Sequence, residues 1–420
     1  MAMQVLDVYM HNIIVGKLVR EKGLLSFTYD DPYIHQENAP SLSASLPLQG
    51  NSFDHVLTSA FFSGLLPEDI VRQRIARKLQ ISEENSFGLL EQIGGECAGA
   101  VSVYPEGIKQ DTTSENTYKI LNEDDAYDIM SQLDKRPLMA GEDDIRISGA
   151  GVQDKLIVAI VKGQLAIPLR NTPSTHIIKP KIQDLDETVQ NEFFCMRLAQ
   201  AAGLPVPDVE IFYLKDEPFY LVERYDRIKH ADNSVTRLHQ EDICQALHIP
   251  PEQKYENEGG PSLRQCFDLL ERHIKEGRMA GINRMLLLQG VIFNFLIGNG
   301  DAHGKNFSIL YEGEGERLAP FYDLLCTKIY GHHFKSRMAM KIGGKYKFRD
   351  VAYRHFEKVA DENGFKGSLL KAQTQKLVKA VSKQAPKIAE KLNQDKKTAS
   401  PVYDKIIQVI NQQTEVFILT

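Results

Sequence analysis

A chain of 420 residues is long enough for two or three domains with sizeable cores, and its 42% hydrophobic and 25% charged content is ordinary for a globular protein in water. A formal charge of −6 excludes a broad basic face that grips nucleic acid by itself, while leaving room for a local patch or a basic partner. Five cysteines (Cys97, Cys195, Cys244, Cys266, Cys326) are scattered without Cys-x-x-Cys spacing, which fits a reducing compartment rather than a disulfide scaffold or zinc site. With no apolar signal region and no membrane-spanning stretch, the expected location is the cytoplasm, without membrane contact.

Residues 1 to about 30 alternate as three strands, with turns at His11-Asn12 and Glu21-Lys22-Gly23. Phe53 to Leu66 and Asp69 to Leu79 follow as amphipathic helices. The second carries Arg72, Arg74, Arg77 and Lys78, which read as a solvated face. Gly94-Gly95 leads to a strand over Ala98 to Tyr104, and the polar stretch Pro105 to Asn122 reads as a surface connection.

Ile145 to Lys155 is a small-residue turn before two strands, Leu156 to Val161 and Leu165 to Leu169. Glycines there let backbone amides approach a phosphate, although the same pattern also makes a plain hairpin turn. The plainest alternative for Ser148 at its edge is an exposed hydroxyl of no importance. The strand Ser174 to Lys179 ends in a lysine that either reaches solvent or projects into a cleft to neutralise phosphates. Glu187 to Ala202 is an amphipathic helix closed by Gly203 and Pro205. Its Glu192 is either a partner for Lys179 or an acid favoured by the helix dipole.

Val209 to Leu214 and Phe219 to Tyr225 form a hairpin, after which the pattern turns helical. The expected helices are Gln240 to Leu247, Leu263 to Ile274, Gly281 to Ile297, Val351 to Glu362, Gly367 to Ser382, Ile388 to Leu392 and Val402 to Val416. A sheet-rich lobe followed by a helical lobe leaves a cleft between them, the place for a nucleotide.

The loop Asn299-Gly-Asp-Ala-His-Gly-Lys-Asn306 lies between the apolar run Met285 to Ile297 and the strand-like Phe307 to Tyr311. Polar loops on rigid supports are where chemistry is usually carried. Asp301 and Asn306 are five apart, and Asp323 follows in Ala-Pro-Phe-Tyr-Asp. Phosphoryl transfer needs a carboxylate to orient the attacking hydroxyl and hard oxygen ligands for magnesium on the phosphates. These three residues supply those parts.

Taken together, Ser148-Gly-Ala-Gly-Val-Gln-Asp-Lys155, Thr175-His-Ile-Ile-Lys179, Asn191-Glu192, Val222-Glu-Arg-Tyr-Asp-Arg227, Gln240-Glu-Asp242, Asp301-Ala-His-Gly-Lys-Asn306 and Pro320-Phe-Tyr-Asp323 resemble the HipA family of serine/threonine kinase toxins. Ser45-Leu-Pro-Leu48 and Leu65-Leu-Pro-Glu68 extend the resemblance into the N-terminal half. It implies an α+β, two-lobed protein kinase-like fold with an N-terminal β-rich subdomain over 1–110, a kinase N-lobe-like region over 111–226 and a mainly helical C-lobe over 227–420. By that resemblance Asp301 is the catalytic base, and Asn306 and Asp323 hold Mg2+. Ala150, Gly151, Val152, Gln153, Asp154 and Lys155 form the phosphate-side loop of the ATP site, and Lys179 meets the phosphates. The backbone of Glu223, Arg224 and Tyr225 meets adenine, while His303, Gly304, Lys305, Asn306 and Tyr322 line the nucleotide from the helical lobe. Ser148 matches the family's self-phosphorylated serine, whose modification shuts the enzyme down.

The resemblance also implies partners: a HipB-like helix-turn-helix antitoxin dimer, operator DNA reached mainly through that antitoxin, and glutamyl-tRNA synthetase as protein substrate. Two rivals share some of these residues. One is a small-molecule phosphotransferase with the same Asp-x4-Asn arrangement, and the other is a non-catalytic scaffold for a DNA-binding antitoxin.

Overall fold

The structure, a computed structural model, describes residues 3–108, 116–313, 315–333 and 337–418. Strands Gln4–Met10, Ile13–Glu21, Leu24–Tyr29 and Val101–Pro105 form an antiparallel sheet with the fourth strand beside the first. His11 and Asn12 both take positive φ (50° and 67°), the backbone that a tight hairpin turn matched to strand twist requires. Helices His55–Gly64, Asp69–Leu79 and Ser86–Ile93 follow, the first capped by Asp54 and the third by Asn85.

A second antiparallel sheet runs in the spatial order Tyr118–Ile120, Gln164–Pro168, Leu156–Val161, His176–Lys179, Glu217–Glu223, Val209–Leu214. Its register sets Lys179 opposite Tyr220. One continuous apolar core, from Leu6 and Val8 through Phe62 and Leu90 to Ile178 and Leu221, serves both strand-rich regions. A second core fills the helical lobe around Ile282–Leu296, which is buried on nearly every side after its first turn. The expected boundary at 110/111, within the Pro105 to Asn122 connection, lies outside the described residues.

Tertiary pairing overrides local pattern at several places. Gln240 to Leu247 is not one helix: His239–Asp242 is a strand paired with Ser308–Glu312, and only Ile243–Ala246 is helical. The segment after residue 226 is therefore not helical throughout, since Arg227–Lys229 with Val235–Arg237 and Gly315–Leu318 with Ser308–Glu312 also pair. Gly367 to Ser382 and Ile388 to Leu392 are one helix, Gly367–Asn393, with Pro386 inside it. Burial of Val381, Ala385 and Ala389 on one face carries it past the proline. The helices Ser86–Ile93 and Glu123–Ser131 were not evident from periodicity. The basic face of Asp69–Leu79 is only partly solvated: Arg72 donates to Ser86 Oγ (2.8 Å) and Arg74 pairs with Asp154 (2.9 Å).

Candidate active site

The buried helix Ile282–Leu296 delivers the chain to Gly298, whose positive φ (71°) turns it into the polar loop. The Asn299 side chain locks that turn, accepting from the Asp301 amide (3.0 Å) and donating to Asn294 Oδ1 (2.8 Å). Thr327 Oγ1 accepts from the Gly300 amide at 2.7 Å. Gly304 opens a short 3-10 turn, Gly304–Asn306, where a Cβ would come within 2.3 Å of Pro261. The turn aims the Asn306 carboxamide back across the loop, where its Nδ2 donates to Asp301 O (3.1 Å) and Asp323 Oδ2 (3.3 Å).

Asp323 is the point where the two lobes meet. Its other oxygen accepts from Lys179 Nζ at 3.0 Å, and Lys179 donates also to Glu192 Oε1 at 2.8 Å. The lysine rests 5.3 Å above the Tyr220 ring, its partner across the strands. Burial works against charge at all three groups. Even so, Lys179, with Lys155 and His303 behind it, keeps Asp323 below its usual carboxyl range. The two carboxylates hold Lys179 above its ordinary value despite burial, and burial pushes Glu192 up to about 7 against the pull of the lysine.

The loop from Ala150 to Lys155 sits on the N-terminal subdomain. Gly151 takes φ 104°, and its carbonyl accepts from the Glu68 amide at 3.1 Å. Lys155 folds back onto Ala150 O, Gln153 donates to Pro180 O (3.0 Å), Asp154 holds Arg74, and Val152 is exposed. Burial, with Lys179 nearby, lowers Lys155 to about 8. Ser148 is not the exposed hydroxyl its position suggests: it is 1% exposed and donates to Leu65 O at 2.7 Å, because the Leu65-Leu66 corner packs over it.

At the junction of the lobes, the Glu223 and Arg224 amides donate to Asp208 O and Thr175 O, both at 2.9 Å. The Glu223 carboxylate pairs with Lys229 (2.7 Å), and the Arg224 side chain is buried against Asp226 and Ser174. Tyr225 stacks on Tyr322 with ring centroids 5.6 Å apart, and Tyr322 donates to Lys305 O at 2.6 Å. Lys305 does not offer a free ammonium to the cleft, since it is buried on Asp242 (2.6 Å) with Glu68 at 3.7 Å. His303 is buried too, edge-on to Tyr255, and burial lowers its imidazole below the ordinary value. The Asp301–Asn306 loop thus contacts Tyr322 and Asp323, and Lys179, with Lys155 nearby, reaches Asp323 from the other lobe.

One contributor was missed. The Tyr255 hydroxyl donates to Asp301 Oδ1 at 2.5 Å, and its neighbour Lys254 pairs with Glu68 at 2.7 Å. Glu68 is therefore tied to the Ala150–Lys155 loop through its amide and to the Asp301 loop through its carboxylate's lysines. The overlooked signal was Gly259-Gly260-Pro261-Ser262 just before the helix Leu263–Lys275. A Cβ at Gly260 would come within 2.3 Å of Gln253 O, so the tight fold of that segment needs the glycine.

Chemically, the cleft sets a carboxylate (Asp301) beside a carboxamide–carboxylate pair (Asn306, Asp323) and two ammonium groups. Among the described residues no group of three or more His, Cys, Asp or Glu side chains forms a self-sufficient metal cage. Magnesium needs none, since it keeps waters and phosphate oxygens and takes few protein oxygens, which the pair Asn306–Asp323 fits. No helix among the described residues is long and apolar enough to cross a membrane.

Comparison with known proteins agrees with this architecture. Residues 6–104 match the HipA N-terminal domain and residues 147–389 the HipA-like C-terminal domain. The chain is 39% identical to the candidate kinase Y4mE of Sinorhizobium fredii over 394 residues, covering 93% of each. It is 29% identical to the serine/threonine-protein kinase toxin HipA of Shewanella oneidensis, over 81% of this chain and 79% of that one. A solved complex of Shewanella oneidensis HipA with HipB and operator DNA superposes with a TM-score of 0.82 at 24% identity, over 97% of this chain and 95% of that chain. Two domain matches in the family's order, carried on a two-lobed α+β fold of the same shape, make this chain a member of the HipA family of toxin–antitoxin kinases.

Proposed function

We propose that the chain is the toxin of a bacterial toxin–antitoxin module, an ATP- and Mg2+-dependent serine/threonine protein kinase. The observation that carries this reading is Asp323 held between Lys179 and Asn306, in the same loop assembly as Asp301. A bound magnesium ion would supply positive charge against the negative charge that develops in transfer. Asn306 and Asp323 would hold it, and Lys179 and Lys155 would meet the phosphates. Asp301 accepts the proton of the attacking serine hydroxyl, its carboxylate oriented by the Tyr255 hydroxyl. Ala150, Gly151, Val152, Gln153 and Asp154 cover the phosphates. The Glu223–Tyr225 backbone, His303, Gly304, Lys305 and Tyr322 line the nucleotide, with Arg224 and Lys305 contributing backbone because their side chains are engaged elsewhere.

In this reading the protein substrate is an aminoacyl-tRNA synthetase, glutamyl-tRNA synthetase first, whose modification arrests growth. Inhibition and autorepression come from a HipB-like helix-turn-helix dimer bound to operator DNA. An acidic kinase leaves most phosphate contacts to that partner. Self-phosphorylation at Ser148 switches the enzyme off. Because that hydroxyl is bonded to Leu65 O, the loop must first leave its seat.

Intact mass after incubation with magnesium and ATP tests the proposal. The expected gain is one phosphate that maps to Ser148 in the wild type and is absent in Asp301→Asn. A wild-type chain that labels neither itself nor any protein in a lysate overturns it.

A further inference from the structure

Outside the cleft, a polar cavity of about 250 Å³ forms where three segments meet beside a fourth, Asn116-Thr117. They are the first hairpin turn (His11, Asn12), the loop after Gln164–Pro168 (Arg170, Asn171) and the strand Val235–Arg237 (Thr236, Arg237). None of these residues takes part in the Asp301 assembly.

Arg237 joins the cavity to a buried ionic cluster. Arg224 pairs with Asp226 (2.7 Å) and Glu96 (3.4 Å), Arg227 pairs with Glu96 (2.9 Å) and Asp226 (3.0 Å), and Arg237 pairs with Glu96. Three guanidinium groups thus face two carboxylates, and no third carboxylate among the described residues pairs with them. Backbone carbonyls of Cys97, Gly99 and Asn171 accept several of the remaining N–H groups, but a carbonyl carries no net charge. Arg237 is only 8% exposed, and its Nε has no hydrogen-bond partner among the described residues. A buried, charged donor left without an acceptor is costly, so a compensating anion at the cavity would be favoured.

The rim suits the same occupant. Arg170 is largely exposed and, among the described residues, its guanidinium is paired with Asp144 at 3.7 Å, so it can turn to a ligand at little cost. Asn171 donates to Asn12 Oδ1 (3.3 Å) and its own Oδ1 accepts from Arg237 (3.3 Å), so the lining at the opening is polar. Burial, with Arg237 and Arg227 close by, lowers the His11 imidazole, as expected in a locally positive environment.

We propose that this cavity binds a small oxyanion, a metabolite carrying a phosphate or carboxylate group, at a site separate from the nucleotide cleft. Arginine is suited to this because its planar fork offers paired donors to such oxygens. A concave pocket of this volume fits a small molecule rather than a macromolecular surface. Because Arg224 belongs to the cluster and precedes Tyr225, an occupant would brace the junction between the lobes.

Isothermal titration of the full chain with inorganic phosphate, and separately with citrate, provides the test. Saturating magnesium and a non-hydrolysable ATP analogue compete for the nucleotide site, and variants at Arg170 and Asn12, both outside that site, report on this cavity whether or not the kinase reading holds. One saturable site is expected for at least one anion, and the tighter of the two identifies the acidic group recognised. Arg170→Glu is expected to weaken it by about tenfold or more. Asn12→Asp, at a position whose backbone tolerates aspartate, should weaken it in the same direction should Arg170→Glu not fold. Absence of saturable binding by both anions, or unchanged affinity in a folded variant, overturns the proposal.

Discussion

Two ionic clusters lie in the interior, and they are built differently. The cluster of Glu96, Arg224, Asp226, Arg227 and Arg237 is made of guanidinium forks that bond carboxylates and backbone carbonyls at once. The cluster of Lys179, Glu192 and Asp323 depends on one lysine, and its Asp323 side chain keeps 34% of its exposure. Arginine fixes geometry through several bonds, whereas a lysine is a point charge on a flexible stem that can exchange a carboxylate for a phosphate. Burial of charge alone does not distinguish scaffold from active centre. The distinction comes from whether the partners can let go.

The sharpest test of this contrast removes a carboxylate from the arginine cluster. Glu96→Gln leaves the three arginines facing a single carboxylate and should cost about 3–5 kcal/mol in chemical denaturation. An unchanged unfolding midpoint would show that the cluster is not structural. The next effect belongs to the lysine cluster. Lys179→Met should slow phosphoryl transfer by about 10²–10³-fold while costing less stability than Glu96→Gln. Glu192, already pushed up to about 7 by burial, can take a proton once its partner is gone. Equal losses of stability in the two variants would erase the distinction.

A smaller effect is a pH dependence. Burial and Lys179 lower Lys155 to about 8 from its ordinary 10.5, so the folded chain holds this proton less tightly than the unfolded chain. On this account alone, stability rises between those two values. A polyphosphate favours the charged lysine, so nucleotide affinity should be greatest below pH 8 and fall by up to about tenfold per pH unit above it. Lys155→Arg should flatten the profile, as read by titration of a fluorescent ATP analogue. The smallest effect lies outside both clusters. Ser262→Ala removes one half of the capping box with Gln265 on the helix Leu263–Lys275 and should cost about 1 kcal/mol with little change in nucleotide affinity. A large loss of affinity instead would link that cap to the Tyr255 segment.

Much of the architecture was legible before any coordinates. The strands Leu156–Val161 and Val209–Leu214 and the helix Asp69–Leu79 fall where their periodicity sets them, because local pattern and packing agree there. The loop around Asp301 was legible because its polar residues stand between two apolar runs. His239–Asp242 was misread because its strand exists only through pairing with Ser308–Glu312, a partner more than sixty residues away. Tyr255 was missed because its hydroxyl meets Asp301 only after two loops fold together. The burial of Ser148 was not legible because the corner that covers it comes from Leu65, far upstream in the chain.

By itself the amino-acid sequence determined which residues were available for chemistry, their order and most local structure, since those depend on neighbours a few positions apart. Only the tertiary structure decided which charges became scaffold and which stayed exchangeable. Arg224 and Lys305 resemble cleft residues in the sequence, yet their side chains are committed to Asp226 and to Asp242. That commitment rests on electrostatic partners brought together by folding, and the spacing of residues along the chain does not encode it.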